Sequence, residues 1–344
     1  MSREKDITIY DIADKLGVSP STVSRALKNH GSIGNATKKK ILTTAQEMGY
    51  QANAFASNLR KQRTNTIGII VHELNSNFIT SVLSGIEKVA TEANYDLIIA
   101  HSSETSKKEA ANASNLFHKR VDGLIASLAF DTEDLSHYKQ FLDKNIPVIF
   151  FDRVFEEMEG TKVIINNFKA GYDATAHLIE QGCKRIAHIT SNLKRNVYAE
   201  RFKGYKQAMA DHQLQFTEKL LVIDGLSEED ATRSAKRIIA MKPLPDGIFI
   251  TNDFCAAIVM QVLKDAGIRI PQDIAVVGFN NDVISKVINP KLTTINYPGF
   301  EMGQVAARSL INHLHGVWNI ALTNTVIIKS ELIIRESSLK KGKK

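Results

Sequence analysis

The first fifty residues carry apolar side chains at the spacing of amphipathic helices. In the first helix these side chains recur at positions i, i+3, i+4 and i+7: Ile9, Ile12, Ala13 and Leu16. Thr8 and Asp11 can cap this helix, and Gly17 can end it. A second helix is expected after Ser19, a good N-cap that precedes Pro20, and its apolar positions are Val23, Ala26 and Leu27. A third is predicted over about residues 36–48, with buried Ile41, Leu42, Ala45 and Met48.

From residue 66 onwards, short apolar runs alternate with segments of helical spacing. The runs occupy residues 67–71, 97–100, 123–128, 147–151, 163–165, 186–189, 220–223, 247–250 and 274–278. Continuous apolar strands that alternate with helices predict doubly wound parallel sheets. The pair VDGLIASLAFD and NIPVIFFD is echoed by PDGIFITNDF and RIPQDIAVVGFN, which predicts two similar lobes. The late segments LTTINYP and TVIIKSELIIRES are expected to return and pair with each lobe.

The positive charge of the chain is concentrated at its N-terminal end. The net charge is +7, and residues 1–65 hold eleven Lys and Arg against five Asp and Glu. A compact basic segment on a nearly neutral body is typical of a nucleic-acid-binding protein, although a merely solvated basic surface explains the charge equally well. The N-terminus has no signal-peptide pattern and no run of 18 apolar residues occurs, so a cytoplasmic protein is expected. Cys183 and Cys255 are expected to be buried thiols.

Two short helices joined by a Gly-containing turn predict a helix-turn-helix, whose second helix enters the major groove of DNA. Within SPSTVSRAL (19–27), Arg25 can donate two hydrogen bonds to guanine, the commonest specific contact. Pro20 and Ser21 would also face bases. The side chains suited to phosphates are Ser19, Thr22, Ser24 and Tyr10. The alternative is a small structural helical bundle with a surface arginine.

The body of the chain contains polar residues where its predicted strands end, which is where α/β sheets bind ligands. No nucleotide-binding glycine loop, GxSxG or HExxH motif is present, so no catalytic residue, metal site or cofactor is expected. The candidate residues are Phe78 and Ile79, Asp152 and Arg153, Asn166 and Asn167, Arg201, Asn252 and Asp253, and Asn280. Such side chains suit a hydroxyl-rich or anionic small molecule. Several of them could instead cap loops and helices.

The strings TIYDIADKLGVSPSTVSRALKNHGSI and TKKKILTTAQEMGYQANAFASNLR resemble the DNA-binding headpiece of the LacI/GalR family of bacterial transcription regulators. The resemblance continues over almost the whole chain. It adds Thr8 and Thr37 to the implied DNA contacts, and it identifies residues 53–60 as a hinge helix that folds in the minor groove. There, Leu59 would wedge between base pairs. The implied hinge contacts are Asn53, Ala56, Leu59 and Arg60.

The family's sensor core resembles periplasmic sugar-binding proteins, and this resemblance implies an effector site between the lobes. The implied effector-binding residues are Phe78, Ile79, Asp152, Arg153, Arg201, Leu226, Asn252, Asn280 and Tyr297. Several pocket positions depart from the family pattern: Ile79 and Leu226 replace aromatic residues, Asn280 replaces an aspartate, and Asn75-Ser76-Asn77 replaces Ser-Asn-Pro. These changes make the pocket less acidic and less aromatic. They therefore favour a phosphorylated or otherwise anionic ligand over a standard hexose.

The expected fold is a small all-α helix-turn-helix DNA-binding domain followed by a two-lobed α/β core with parallel doubly wound sheets, similar to periplasmic binding proteins. We predict a headpiece (1–51), a hinge helix and linker (52–65), a core (66–338) and a disordered basic tail (339–344). Lobe 1 is assigned to about residues 66–162 and 293–322, and lobe 2 to 163–292 and 323–338.

The expected function is a homodimeric regulator, most simply a repressor, that binds near-palindromic operator DNA. A small effector, a sugar or a sugar phosphate, would control it from between the lobes. Three alternatives are weighed against this one: control by a phosphoprotein corepressor, a solute-binding protein for transport, and an enzyme on the same lobes. A transport protein needs an export signal and leaves residues 1–60 unexplained. An enzyme needs a nucleophile–base set or a cofactor loop.

Overall fold

A computed structural model describes residues 7–50, 63–155, 160–322 and 325–340 of the chain. The chain separates into two compact units, residues 1–63 and 64–344. Within the described residues, no helix is long and apolar enough to cross a membrane.

The described residues of the N-terminal unit form three helices: α1 (Ile9–Leu16), α2 (Pro20–Leu27) and α3 (Asn35–Glu47). They pack around a small core of Ile12, Ala13, Val23, Ala26, Ile41 and Ala45. Helices of eight residues are marginal alone in water, so α1 and α2 depend on this packing. One sequence expectation is wrong: Leu42 is 47% exposed, because it lies on the solvent side of α3.

Local hydrogen bonds set the ends of these short helices. The backbone amide of Thr8 donates to the Asp11 carboxylate at 2.7 Å, as expected for a capping box. Gly17 ends α1 with a φ of 66°, a left-handed conformation that glycine adopts without strain. Ser19 Oγ then accepts from the backbone amide of Thr22 at 3.2 Å, and Pro20 is the first residue of α2.

The second unit is built on two six-stranded sheets. The first has the order β11-β5-β4-β3-β1-β2 and every pairing in it is parallel. Its strands are β1 (Thr66–Val71), β2 (Asp96–His101), β3 (Gly123–Ala126), β4 (Val148–Phe151), β5 (Lys162–Ile165) and β11 (Thr325–Ile328). Apolar clusters cover both of its faces, as the continuous apolar runs predicted.

The second sheet has the order β12-β10-β9-β8-β6-β7, with only the β10–β12 pair antiparallel. Its strands are β6 (Ile186–Thr190), β7 (Leu221–Ile223), β8 (Gly247–Ile250), β9 (Ala275–Asn280), β10 (Thr293–Asn296) and β12 (Glu331–Ile333). The first sheet defines lobe 1 and the second sheet defines lobe 2.

The α-helices described in this unit are α4 (Asn77–Glu92), α5 (Ser106–His118), α6 (Lys139–Leu142), α7 (Asn167–Glu180), α8 (Asn196–Asp211), α9 (Glu228–Ala240), α10 (Asp253–Asp265), α11 (Ile284–Val287) and α12 (Gly299–Leu314).

The predicted lobe boundaries are corrected at three strands. Residues 163–165 and 325–328 were expected in lobe 2, but they lie in β5 and β11 of the first sheet. Residues 293–296 were expected in lobe 1, but they form β10 of the second sheet. The reason is that the chain crosses between lobes after β5, after β10 and after β11. Apolar patterning marks a strand but does not say which sheet the strand joins.

The prediction of a disordered tail is wrong for its first two residues. Leu339 and Lys340 are half-buried, and Lys340 Nζ donates to the backbone carbonyl of Asp273 at 3.1 Å. Residues 341–344 lie outside the described part of the chain.

Each lobe contains one helix pair in close backbone contact. In lobe 1, a Cβ on Gly303 of α12 would lie 2.0 Å from the carbonyl oxygen of Val82 on α4. In lobe 2, a Cβ on Gly204 of α8 would lie 2.0 Å from the carbonyl oxygen of Phe168 on α7. Only glycine fits at these crossings. The pairs place the starts of α4 and α8 beside the strand ends where the candidate residues lie.

Candidate DNA-reading surface and ligand cleft

Helix α2 buries one side and exposes the other. Val23 and Ala26 are buried in the core of the N-terminal unit, whereas Ser21 and Arg25 are exposed. Pro20 is half-buried at the first position of the helix. The exposed side is therefore short and polar and carries one guanidinium, which is the form needed to reach base edges in a major groove.

The predicted phosphate-contacting residues differ in how exposed they are. Tyr10 is 64% exposed, and Thr8 and Thr37 are exposed as well. Thr22 and Ser24 are half-buried. Ser19 Oγ lies 2.8 Å from the hydroxyls of both Ser21 and Thr22 while it caps α2, so it has little free hydrogen-bonding capacity. The predicted hinge contacts lie outside the described residues: Asn53, Ala56, Leu59 and Arg60.

In the core, residues from both lobes meet in a buried cluster, the cleft. Asp152 follows β4, Phe78 begins α4, and Tyr297 follows β10. The Phe78 and Tyr297 rings stack with centroids 4.1 Å apart, and the Tyr297 hydroxyl donates to the Asp152 carboxylate. Burial raises the pKa of Asp152, although Arg153 and the Tyr297 hydrogen bond oppose that rise. An aromatic face and a hydrogen-bonding carboxylate therefore lie side by side.

Arg201 enters the same cluster from the middle of α8. Its Nε donates to Asn167 Oδ1 at 2.9 Å, and Nη1 donates to the Thr251 carbonyl at 3.3 Å. Its guanidinium carbon lies 3.5 Å from the centroid of the Phe279 ring. Burial lowers the pKa of Arg201, while Tyr297 and other neighbours oppose that effect. Neutral groups thus hold the guanidinium in a fixed orientation.

Arg153 is another buried guanidinium of this cluster, and three residues that the sequence did not single out surround it. Its Nη1 donates to both carboxylate oxygens of Glu104, at 2.9 and 2.7 Å, and Nη2 donates to the Tyr198 hydroxyl at 3.3 Å. Its guanidinium carbon lies 4.2 Å from the Phe130 ring centroid. Burial opposes the charge on Arg153, but Tyr198, Glu104 and Asp152 together raise its pKa above the ordinary value.

No motif marked these three neighbours of Arg153. Glu104 follows β2 in a loop where its φ is 60°, and Phe130 follows β3. Tyr198 lies three residues before Arg201 on α8 and so shares its helix face. Only that helical spacing could have pointed to one of them from the sequence.

Four other predicted effector residues have packing or capping contacts in the structure. Ile79 is fully buried in the apolar core and Leu226 packs against the lobe 2 core. Asn252 Oδ1 caps α10 by accepting from the Cys255 amide at 3.0 Å. Asn280 Nδ2 donates weakly to the Asp282 carboxylate at 3.4 Å. These contacts are the capping and packing roles that the sequence also allowed for these residues, as the alternative to ligand binding.

Direct hydrogen bonds join the lobes beside the cleft. Asn196 of lobe 2 donates to the Asp152 carbonyl at 3.1 Å and accepts from the Val154 amide at 3.0 Å. Asn192 donates to the Phe130 carbonyl at 3.2 Å, completing a seam beside Arg153. The lobes are therefore closed over the cluster. Among the described residues, no group of three or more His, Cys, Asp or Glu side chains could hold a metal ion.

A helix-turn-helix with an exposed arginine, on a chain whose core closes two lobes over a polar cleft, defines a DNA-binding regulator with a ligand-sensing core. Family models agree with both parts. The model described as bacterial regulatory proteins, lacI family, matches residues 8–53, and the periplasmic binding protein-like domain matches residues 175–338.

Two related transcription regulators match about nine-tenths of this chain. The chain is 31% identical to the HTH-type transcriptional repressor PurR of Vibrio atlanticus, over 89% of this chain and 92% of that protein. It is 29% identical to catabolite control protein A of Priestia megaterium, over 90% and 93%. The chain belongs to the LacI family of bacterial regulatory proteins. It is a ligand-controlled, DNA-binding transcription regulator.

A solved structure shares the fold over the whole length. The Lac repressor dimer bound to operator and the anti-inducer ONPF superposes with a TM-score of 0.87, covering 97% of this chain and 100% of that one at 22% identity. The predicted fold class is thus confirmed.

Proposed function

We propose that the chain acts in the cytoplasm as a homodimeric repressor whose operator affinity is set by a sugar or a sugar derivative bound between the lobes. The observation that carries this proposal is the meeting of Phe78, Asp152, Arg201 and Tyr297 in one buried cluster. A stacked aromatic pair can cover the apolar side of a sugar ring, while a carboxylate and a guanidinium bond its hydroxyls.

The closed lobes support a simple means of control. A ligand that binds the closed arrangement more tightly than an open one shifts the balance between them. If the two lobe arrangements differ in operator affinity, the ligand changes the affinity for DNA, and DNA changes the affinity for the ligand by the same factor. Cleft residues would supply the ligand contacts, and Ser21 and Arg25 would read the DNA.

A dimer is supported by apolar side chains left exposed on the core. On lobe 2, Phe254 in the first turn of α10 is 44% exposed, and Val283 and Val287, at the two ends of the short helix α11, are 66% and 73% exposed. On lobe 1, Leu74 is 49% exposed just before α4. Exposed patches of this kind mark association sites, and a two-fold dimer would match a near-palindromic operator.

The experiment is an operator-binding titration with and without small molecules. A site is first selected from random DNA with the wild-type chain, and its affinity is then measured by fluorescence anisotropy across a panel of sugars and sugar phosphates. We expect one compound to change the affinity, and Arg201→Ala to abolish that change while the ligand-free affinity stays within about twofold.

Two outcomes would contradict the proposal. If Arg201→Ala responds to the compound as the wild type does, the ligand does not bind at the cleft. If no compound acts and a protein partner instead changes the operator affinity, control by a corepressor replaces control by a small molecule.

A further inference from the structure

The cleft pairs one of its guanidiniums with a carboxylate. Arg153 and Arg201 lie near Glu104 and Asp152, while the charges of Glu73 and Arg195, one of each sign, interact with Arg153 as well. The sequence, with Asn280 in place of an aspartate, favoured an anionic ligand. The structure changes this expectation, because Glu104, which the sequence did not single out, bonds Arg153.

Arg153 is already occupied by the protein itself. Nη1 donates to both oxygens of Glu104, Nη2 donates to the Tyr198 hydroxyl, and the Phe130 ring covers the face of the guanidinium. Only 4% of the Arg153 side chain is exposed. An anion could bind Arg153 only by displacing Glu104, and that carboxylate would then lie beside the anion in a poorly solvated site.

The other carboxylates add to this barrier. Burial raises the pKa of Glu73, and the neighbouring charges of Glu104 and Asp152 contribute to that rise while Arg153 opposes it. Asp152 accepts the Tyr297 hydrogen bond and faces the same cluster. A further negative charge beside Arg153 would therefore be repelled by Glu104 and Asp152, both of which already act on this guanidinium.

We propose that Glu104 is a specificity-determining residue that excludes phosphorylated and carboxylated effectors, so that the effector is an uncharged polyhydroxylated molecule. This inference rests on the proposed function, because it concerns the ligand of the same cleft. Glu104 acts by neutralising Arg153, and Phe130 and Tyr198 hold the pair in place.

The test uses inorganic phosphate as the probe and needs no DNA. Thermal unfolding of the full chain is followed while phosphate is titrated at constant ionic strength against chloride. The wild type should show no saturable rise in Tm. Glu104→Gln keeps the side-chain size and frees the charge of Arg153. We therefore expect phosphate to stabilise this variant saturably, with an affinity at least about tenfold higher than the affinity of the wild type for phosphate. Glu92→Gln removes the same charge from an exposed position on α4 and should behave as the wild type.

Saturable stabilisation of the wild type by phosphate would overturn the inference, and so would a Glu104→Gln chain that ignores phosphate. If Glu104→Gln does not fold, Glu104→Ala takes its place with the same expectation, and the wild-type titration still decides whether the cleft accepts an anion. Because the readout involves no operator, the proposed function can fail in the DNA titration while this result stands, and the reverse also holds.

Discussion

Replacing Arg25 by alanine should reduce sequence discrimination without weakening the fold. Arg25 is exposed on α2, whereas the core of its unit is formed by buried residues such as Val23 and Ala26. Alanine is also a better helix former than arginine. The free energy of unfolding should therefore change by less than about 0.5 kcal/mol.

The cost to DNA recognition should be larger and specific to sequence. A side chain that donates two hydrogen bonds to guanine contributes roughly 1–3 kcal/mol of discrimination, which corresponds to about 5- to 150-fold in the affinity ratio. Loss of the positive charge also weakens binding to every DNA sequence. The ratio of selected-site to random-site affinity separates these two effects.

The assay is fluorescence anisotropy on the selected site and on a scrambled duplex, at two salt concentrations. Lys28→Ala is the matched control, since Lys28 is an exposed base that follows α2 directly. It should lower both affinities equally and leave the ratio unchanged. If Arg25→Ala also lowers the two affinities equally, Arg25 binds phosphate only, and the predicted contact between Arg25 and a base is wrong.

Two further predictions concern stability. Gly303→Ala places a Cβ 2.0 Å from a backbone carbonyl of the facing helix, so the free energy of unfolding should fall by about 1–3 kcal/mol or more in urea titrations; an unchanged midpoint would mean that the helices separate easily. Burial raises the pKa of Asp253 to about 7 although Thr294 donates to it. Between about pH 4 and 7 the folded state therefore holds a proton that the unfolded state releases. The contribution of this proton to the free energy of unfolding is fully present below about pH 4 and is lost as pH rises through 7. In Asp253→Asn the urea midpoint should vary less between pH 5 and 8 than in the wild type. If the midpoint falls with pH as steeply as in the wild type, other groups cause the pH dependence.

The elements of the N-terminal unit were predictable because their signals are local. Caps, a terminating glycine and 3.6-residue spacing lie within each helix, and all three helices form where expected. Leu42 was the exception: it lies beside the buried face and was predicted to be in the core, but the core that α1, α2 and α3 form is too small to cover it. A core of this size buries only one narrow side of α3.

The assignment of strands to the two lobes could not be predicted from the sequence. Strands were found from their apolar runs, but the three crossings between lobes depend on pairings between segments far apart in the chain. The β5–β11 pair joins residues 162–165 to 325–328. Nothing within either segment encodes that partner, because both are equally apolar and a parallel pair needs no turn between its strands. The same reason hid Glu104, whose partner Arg153 lies 49 residues away.

The closed cleft also limits how strongly a ligand can act. Its polar groups already bond one another: Tyr297 to Asp152, Arg201 to Asn167, and Arg153 to Glu104. A ligand must replace such bonds, so only the difference between the new contacts and the old ones is available to shift the lobes. Moving the population from 1:99 to 99:1 requires about 10⁴-fold preference for one arrangement. We expect an uncharged ligand to leave the Glu104–Arg153 pair intact and to add hydroxyl contacts across the seam, whereas an anion would first have to break the pair that holds Arg153 in position.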